Sequence, residues 1–391
     1  MRRITIFTGS RADYFLLIDL MRKIKLSKKL KLQIIVSGAH LSKKFGNTWK
    51  QIKLDDFKIN EKIDILGKGD TATSIIKSVS KGINSFTKPL KSLSPDFLII
   101  LGDRSEAFSI AQAAMFLNIK IVHLHGGELS EGSYDDTLRH CLTKMAFLHF
   151  PICDEYRKRI IQMGENPKNV FNFGSLGVER IFNKKFHTKD KLNKLLKFDF
   201  NTSYFVICYH SATNSEEDPK KTMNNILKSL ESFENYNIFI SYPNHDNGNK
   251  KVIKIIEEYS KKNLKRVFLS KYVPNDHFLS VVKNSEGIIG NSSSGLIEVP
   301  SLKIPTINVG SRQNGRLRAM SVIDCDIEIS SIKKAIKKAL SKKFKEKCNE
   351  FKSPFEKKST SSKIVKKLEN YNINSKNSFF DINNLREIAD V

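Results

Sequence analysis

The densest cluster of titratable side chains in the sequence lies between His123 and His140: His123-Leu-His125-Gly-Gly-Glu128, then Glu131, Asp135, Asp136, Arg139 and His140. Histidines crowded with carboxylates are what acid–base catalysis needs, because burial and mutual charge drive their pKa values apart. His123 and Asp136 also fit a core residue and a helix cap, so the individual roles stay open. Metal binding is the competing chemistry. His123 and His125 would share one face of a strand, yet no H-E-x-x-H motif and no third ligand accompany them, so no metal site is expected.

Four other regions carry groups suited to an anion. Gly9-Ser10-Arg11-Ala12-Asp13 follows an apolar run and opens a helical pattern. Helix-terminal N–H groups and the Arg11 fork there suit a phosphate, while a plain turn with Asp13 as first-turn helix charge fits equally well. Gly102-Asp103-Arg104 repeats the arrangement with a carboxylate beside a guanidinium, although Asp103 also fits a helix N-cap. Gly290-Asn291-Ser292-Ser293-Ser294-Gly295-Leu-Ile-Glu298 puts small residues and hydroxyls at a helix start, a cradle of N–H and O–H donors without the lysine of a P-loop. Glu298 would face a ribose or solvent, and Arg312 and Arg316 offer further phosphate contacts or a basic loop. His210 ends one apolar run, and Asn244, in Pro243-Asn-His-Asp246, ends the next. Gly67-Lys-Gly-Asp-Thr-Ala72 fits G-x-G-x-x-A, but it is not in the first strand–helix turn, so no dinucleotide cofactor is expected.

These residues need elements to aim them. Short β-rich apolar runs, Ile4–Thr8, Leu32–Ser37, Phe97–Leu101, Ile119–His123 and Leu148–Ile152, read as buried strands, each followed by Gly, Asp or His. Between them lie helical patterns over Tyr14–Ile24, Thr73–Leu90 and Glu106–Phe116, so a parallel sheet covered by helices is expected. A second series follows a Lys-rich stretch: Tyr204–Tyr209, Asn237–Tyr242, Val267–Ser270, Gly287–Gly290 and Thr306–Val309. The reading is therefore an α/β chain of two Rossmann-like domains facing a cleft, with ligand groups just beyond the strand ends. The domains expected are 1–185 and 200–350, followed by a C-terminal helix in 351–372 packing back across the domains and a mobile tail over 373–391.

Composition bounds the function classes. At 391 residues the chain has room for two full cores, and no apolar run approaches the ~20 residues that a membrane helix needs. A cytoplasmic protein is expected. Five cysteines without a C-x-x-C pair suggest buried thiols rather than disulfides or a zinc knuckle. The net charge of +26 invites a nucleic-acid partner, but the excess is mostly Lys scattered from Lys23 to Lys376, with no nucleic-acid motif. A solvated basic surface favouring anionic substrates is the expectation, with neither nucleic acid nor membrane as partner.

Taken together, GSRADY at Gly9–Tyr14, GDR at Gly102–Arg104, HLHGGE at His123–Glu128, Asp135-Asp136, RHCLTKM at Arg139–Met145 and GNSSSGLIE at Gly290–Glu298 resemble the hydrolysing nucleotide-sugar 2-epimerases. That family makes N-acetylmannosamine from UDP-N-acetylglucosamine, or the 2,4-diacetamido counterpart, for sialic and legionaminic acid synthesis. The resemblance runs from residue 3 to about 326 and implies two Rossmann-like domains of the glycosyltransferase-B type, a nucleotide-sugar substrate, no redox cofactor and a homo-oligomer. By resemblance, Arg11, Ser292, Ser293 and Arg312 match pyrophosphate-contacting positions and Glu298 the ribose-binding carboxylate. Asp103, Asp135 and His210 match residues implicated in catalysis. Animal-type relatives carry a catalytic Glu where this chain has His125, so the base is left among His125, Glu128 and Glu131. The 2-acetamido and 2,4-diacetamido relatives share every motif quoted, and a glycosyltransferase using a UDP-sugar donor remains the alternative from another class.

Overall fold

The computed structural model describes the chain except for residues 68, 70, 132, 213–215, 244–248, 272, 274, 376 and 383–391. It divides into two compact units. Unit 1 comprises 1–128, 135–180 and 357–391, and unit 2 comprises 129–134 and 181–356.

Unit 1 is built on six parallel strands: β1 (Arg2–Thr8), β2 (Leu30–Ser37), β3 (Glu61–Ile63), β4 (Phe97–Leu101), β5 (Ile121–Leu124) and β6 (Leu148–Phe150). Their spatial order is β3-β2-β1-β4-β5-β6. Unit 2 repeats the pattern with β7 (Tyr204–Cys208), β8 (Asn237–Ser241), β9 (Val267–Ser270), β10 (Gly287–Gly290), β11 (Thr306–Val309) and β12 (Val322–Cys325), ordered β12-β11-β10-β7-β8-β9. Both orders are the doubly wound one, in which the winding reverses between the first and fourth strands. The switch points are therefore β1/β4 and β7/β10. Segments 9–13 and 102–104 follow one such pair, and His210 and 291–294 follow the other.

The central strands are near-continuous apolar runs because both faces are covered: β7 is buried throughout, and β4 is buried at its first four residues. β3 and β12 are absent from the sequence expectation. Each is a short edge strand with charge inside it, Glu-Lys-Ile and Val-Ile-Asp-Cys, so the apolar signal is faint and only pairing with β2 and β11 defines it.

Three features differ from the expected domain scheme. Residues 129–134 leave the first unit and belong to the second, where the Glu131 amide donates to the Asn314 carbonyl at 3.2 Å. The C-terminal helix Thr360–Asn370 belongs to unit 1, burying Ile364, Val365 and Leu368 in the core that contains Ile4, Tyr14 and Leu17. Where a mobile tail is expected from 373, the chain is held as far as Phe380. Tyr371 packs edge-on against Phe97 and Phe147, Lys120 Nζ donates to the Ser375 carbonyl at 3.1 Å, and the Phe380 amide donates to the Gly164 carbonyl at 2.9 Å.

Candidate active site

In unit 1 the loop after β5 carries the chemistry. Gly127 has φ +77°, and a Cβ there would lie 2.4 Å from the Tyr156 carbonyl oxygen, so only glycine fits. This tight passage sends Glu128 back toward His125. His125 Nδ1 lies 3.3 Å from Glu128 Oε1, both side chains are buried, and His125 Nε2 has no partner among the described residues. His125 also holds φ +63°, a conformation that costs a non-glycine residue about 1–3 kcal/mol and tends to gather at functional sites. An imidazole oriented by a carboxylate on one nitrogen, with the other nitrogen open, is equipped to take and return a proton.

The two histidines, His123 in β5 and His125 just after it, part ways. His123 donates from Nε2 to the Gly102 carbonyl at 2.7 Å and accepts at Nδ1 from Thr143 at 3.2 Å. Burial pushes its pKa down to about 4. It is neutral and structural, tying the end of β4 to the helix Asp135–Met145.

Asp103, just past β4, is ion-paired with Arg139. The same guanidinium donates to the Glu128 carbonyl at 2.9 Å and lies 3.2 Å from Asp136. Asp135 and Asp136 open that helix. Arg11 is the first residue of the helix Arg11–Leu26, whose capping carboxylate is Asp13: its oxygens accept the amides of Gly9 and Ser10 at 2.8 Å. Asp13 is thus occupied by the turn. Arg104 stands 3.4 Å from the buried Glu106 carboxylate.

In unit 2 the buried Asn291 side chain organises the switch point. Its Oδ1 accepts the His210 amide and its Nδ2 donates to the His210 carbonyl, both at 2.8 Å. The Asn291 carbonyl in turn accepts Arg312 Nη1 at 3.0 Å and Gln313 Nε2 at 2.7 Å. Ser292 precedes the short helix Ser293–Ile297, with Ser292 Oγ 3.1 Å from Ser294 Oγ, and the buried Glu298 ends it. Glu217 accepts the Ser311 amide at 2.8 Å and so shapes the loop that carries Arg312. Beside that loop lies a cavity of about 380 Å³ lined by Glu217, Asp324 and Asp326, whose charge is wrong for a phosphate. Replacing Asn291 by Ala strands the His210 main chain, so we expect a loss of about 1–3 kcal/mol of stability together with a fall in kcat/KM, read by thermal melting and steady-state kinetics.

Unit 1 thus holds Arg11, Asp103, Arg104, His125, Glu128 and Asp135, and unit 2 holds His210, Ser292, Ser293, Glu298 and Arg312. Asn244 lies outside the described residues, and Glu131 is exposed and belongs to unit 2. Sequence reasoning names Arg139 and Asn291 within their segments but gives neither a role of its own. For Arg139 the available signal is an arginine one turn into a helix that starts with two acids. For Asn291 it is an amide directly after a strand-ending glycine. Among the described residues, no group of three or more His, Cys, Asp or Glu is placed to hold a metal ion.

The profile of the UDP-N-acetylglucosamine 2-epimerase family matches residues 22–369. The chain belongs to that family. It is 40% identical over 326 residues, 83% of its length and 85% of the relative's, to the hydrolysing GDP/UDP-N,N'-diacetylbacillosamine 2-epimerase of Campylobacter jejuni. It is 36% identical over 98% of both chains to the polysialic acid biosynthesis protein P7 of Escherichia coli. The crystal structure of Neisseria meningitidis UDP-GlcNAc 2-epimerase bound to UDP-GlcNAc is similar in fold, with a TM-score of 0.78 over 94% of this chain and 99% of that one at 16% identity. For this member of the epimerase family, the glycosyltransferase alternative is thereby set aside.

Proposed function

We propose that this epimerase-family chain is a hydrolysing nucleotide-sugar 2-epimerase whose preferred substrate is a nucleoside-diphosphate 2,4-diacetamido sugar, with UDP-N-acetylglucosamine as the competing substrate. The observation that carries the chemistry is the His125–Glu128 pair with its open Nε2. The preference among sugars leans on the Campylobacter relative, which is the more similar of the two by identity.

A sugar C2 proton is not α to a carbonyl and resists direct removal at neutral pH. Breaking the bond between C1 and the diphosphate oxygen first sends that electron pair out with the nucleotide and leaves an oxocarbenium-like centre, which acidifies the C2–H bond. The base then takes the C2 proton, and the C–H electrons form a C1=C2 double bond. Water adds its oxygen to C1, and a proton is returned to C2 on the opposite face. The free 2-epimer and the nucleoside diphosphate result.

In unit 1, His125 takes the C2 proton while Glu128 orients and stabilises the imidazolium, and Asp103 and Asp135 serve the return of the proton. Arg11 and Arg104 supply positive charge for the leaving group. In unit 2, Ser292, Ser293 and Arg312 contact the diphosphate, Glu298 the ribose and Asn244 the substrate, while His210 assists catalysis. The residues ask for no redox cofactor. Among the described residues no helix is long and apolar enough to cross a membrane, and we assign the chain to the cytoplasm as a homo-oligomer, which sedimentation tests.

The reaction is tested by isotope. Turnover in D₂O places deuterium at C2, and turnover in ¹⁸O-water labels the sugar C1 oxygen. Label on the nucleotide phosphate would show that the P–O bond breaks instead and would end this reading. Parallel rates with UDP-N-acetylglucosamine and with UDP- and GDP-linked diacetamidobacillosamine decide the substrate.

A further inference from the structure

Among the buried charges without a role in the reaction above is Arg139. Arg139 is 1% exposed, the bulkiest fully buried side chain among the described residues. Removing a guanidinium from water costs several kcal/mol, and a well-packed apolar side chain in its place is often neutral or stabilising. Stability alone does not call for Arg here.

Its surroundings suggest what does. Around it stand Asp103 from the loop after β4, Glu128 from the loop after β5, Asp136 and His140 from its own helix, and the neutral His123 on β5. Burial opposes its charge, but Asp103, Glu128 and Asp136 outweigh that and hold it protonated above its ordinary value. One planar fork thereby joins three segments that are separate in sequence, and all three carry residues given roles above. Glu128 is the link to the His125 ring, since its carbonyl is held by Arg139 and its carboxylate faces Nδ1.

We propose that Arg139 is the positioning residue of the acid–base cluster, setting the Asp103 carboxylate and, through Glu128, the His125 ring at a fixed separation. The kinetic consequence rests on the epimerase reading, whereas the electrostatic consequence does not.

Arg139→Lys keeps the charge and loses the fork, so it can reach Asp103 or the Glu128 carbonyl but not both. A misplacement of about 1 Å costs roughly 10²-fold in rate, so kcat is expected to fall about 10–100-fold with KM within about 3-fold of wild type. The acidic limb of its kcat–pH profile stays in place. Arg139→Gln removes a cation shared by three carboxylates, which favours their protonated forms, so the acidic limb moves to higher pH. The same change appears without substrate. Carboxylates whose pKa is raised by folding gain stability as pH falls, so the gap in melting temperature between wild type and Arg139→Gln narrows from pH 8 to pH 5.

Wild-type kcat in Arg139→Lys, or a melting gap in Arg139→Gln that does not change with pH, would overturn the proposal. If Arg139→Gln does not fold, the kcat-against-KM split in Arg139→Lys decides. If the wild-type chain turns over none of the nucleotide sugars, the epimerase reading fails, and Arg139 is judged on the melting gap.

Discussion

Replacing His125 by Asn is expected to lower kcat by a factor of about 10²–10⁴, the usual worth of one acid–base group, while UDP binding persists. Asn is the informative substitution because His125 sits at φ +63°, where Asn is among the residues that tolerate a left-handed backbone and Ala is not. His125→Gly, which relieves the backbone altogether, should fold at least as well and be equally inactive. Glu128→Gln should be milder, about 10–100-fold, because the amide oxygen can still accept from Nδ1 but no longer stabilises an imidazolium. Steady-state kinetics beside UDP titration calorimetry separate the outcomes. Normal turnover in His125→Asn with a dead Glu128→Gln would move the base to the carboxylate.

The second large effect is on stability. Gly290 has φ +140°, and a Cβ at that position would lie 2.1 Å from the Cys208 carbonyl oxygen. Strain and overlap act together, and neither the left-hand neighbour nor the backbone oxygen can yield cheaply, because Gly290 is paired with Cys208 across β10 and β7. Gly290→Ala should cost about 3–5 kcal/mol. For a unit of this size that is a drop of roughly 6–20 °C in melting temperature, read by calorimetry. Activity should fall too, because the next residue, Asn291, holds the His210 main chain. A melting temperature within 2 °C of wild type, the shift that under about 1 kcal/mol would give, would mean that the turn adjusts far more readily than its contacts imply.

Much of the site is legible before folding is considered. Parallel strands covered on both faces have to be short apolar runs, so β4, β9, β10 and β11 fall where the pattern places them. β5 is shifted by one or two residues from its expected span, to Ile121–Leu124, so that His125 follows the strand directly rather than two residues past an end at His123. The residues following the strands are the ones whose types suit anion binding and proton transfer, and the resemblance to the 2-epimerases rests on the same residues.

The sequence by itself determined which side chains are available and roughly where along each strand–helix unit they emerge, because that depends on local periodicity and on the residues that break it. Tertiary structure alone decided how they are used. His123 and His125 look alike in the sequence, and only burial against Gly102 and Thr143 makes one structural while a positive φ and Glu128 equip the other. Arg139 finds Asp103 36 residues away because β4 and β5 are neighbours in the sheet. Asn291 finds His210 81 residues away because β7 and β10 are. Periodicity is a property of consecutive residues, whereas strand order is settled by the burial of whole elements, so contacts across a switch point belong to the fold.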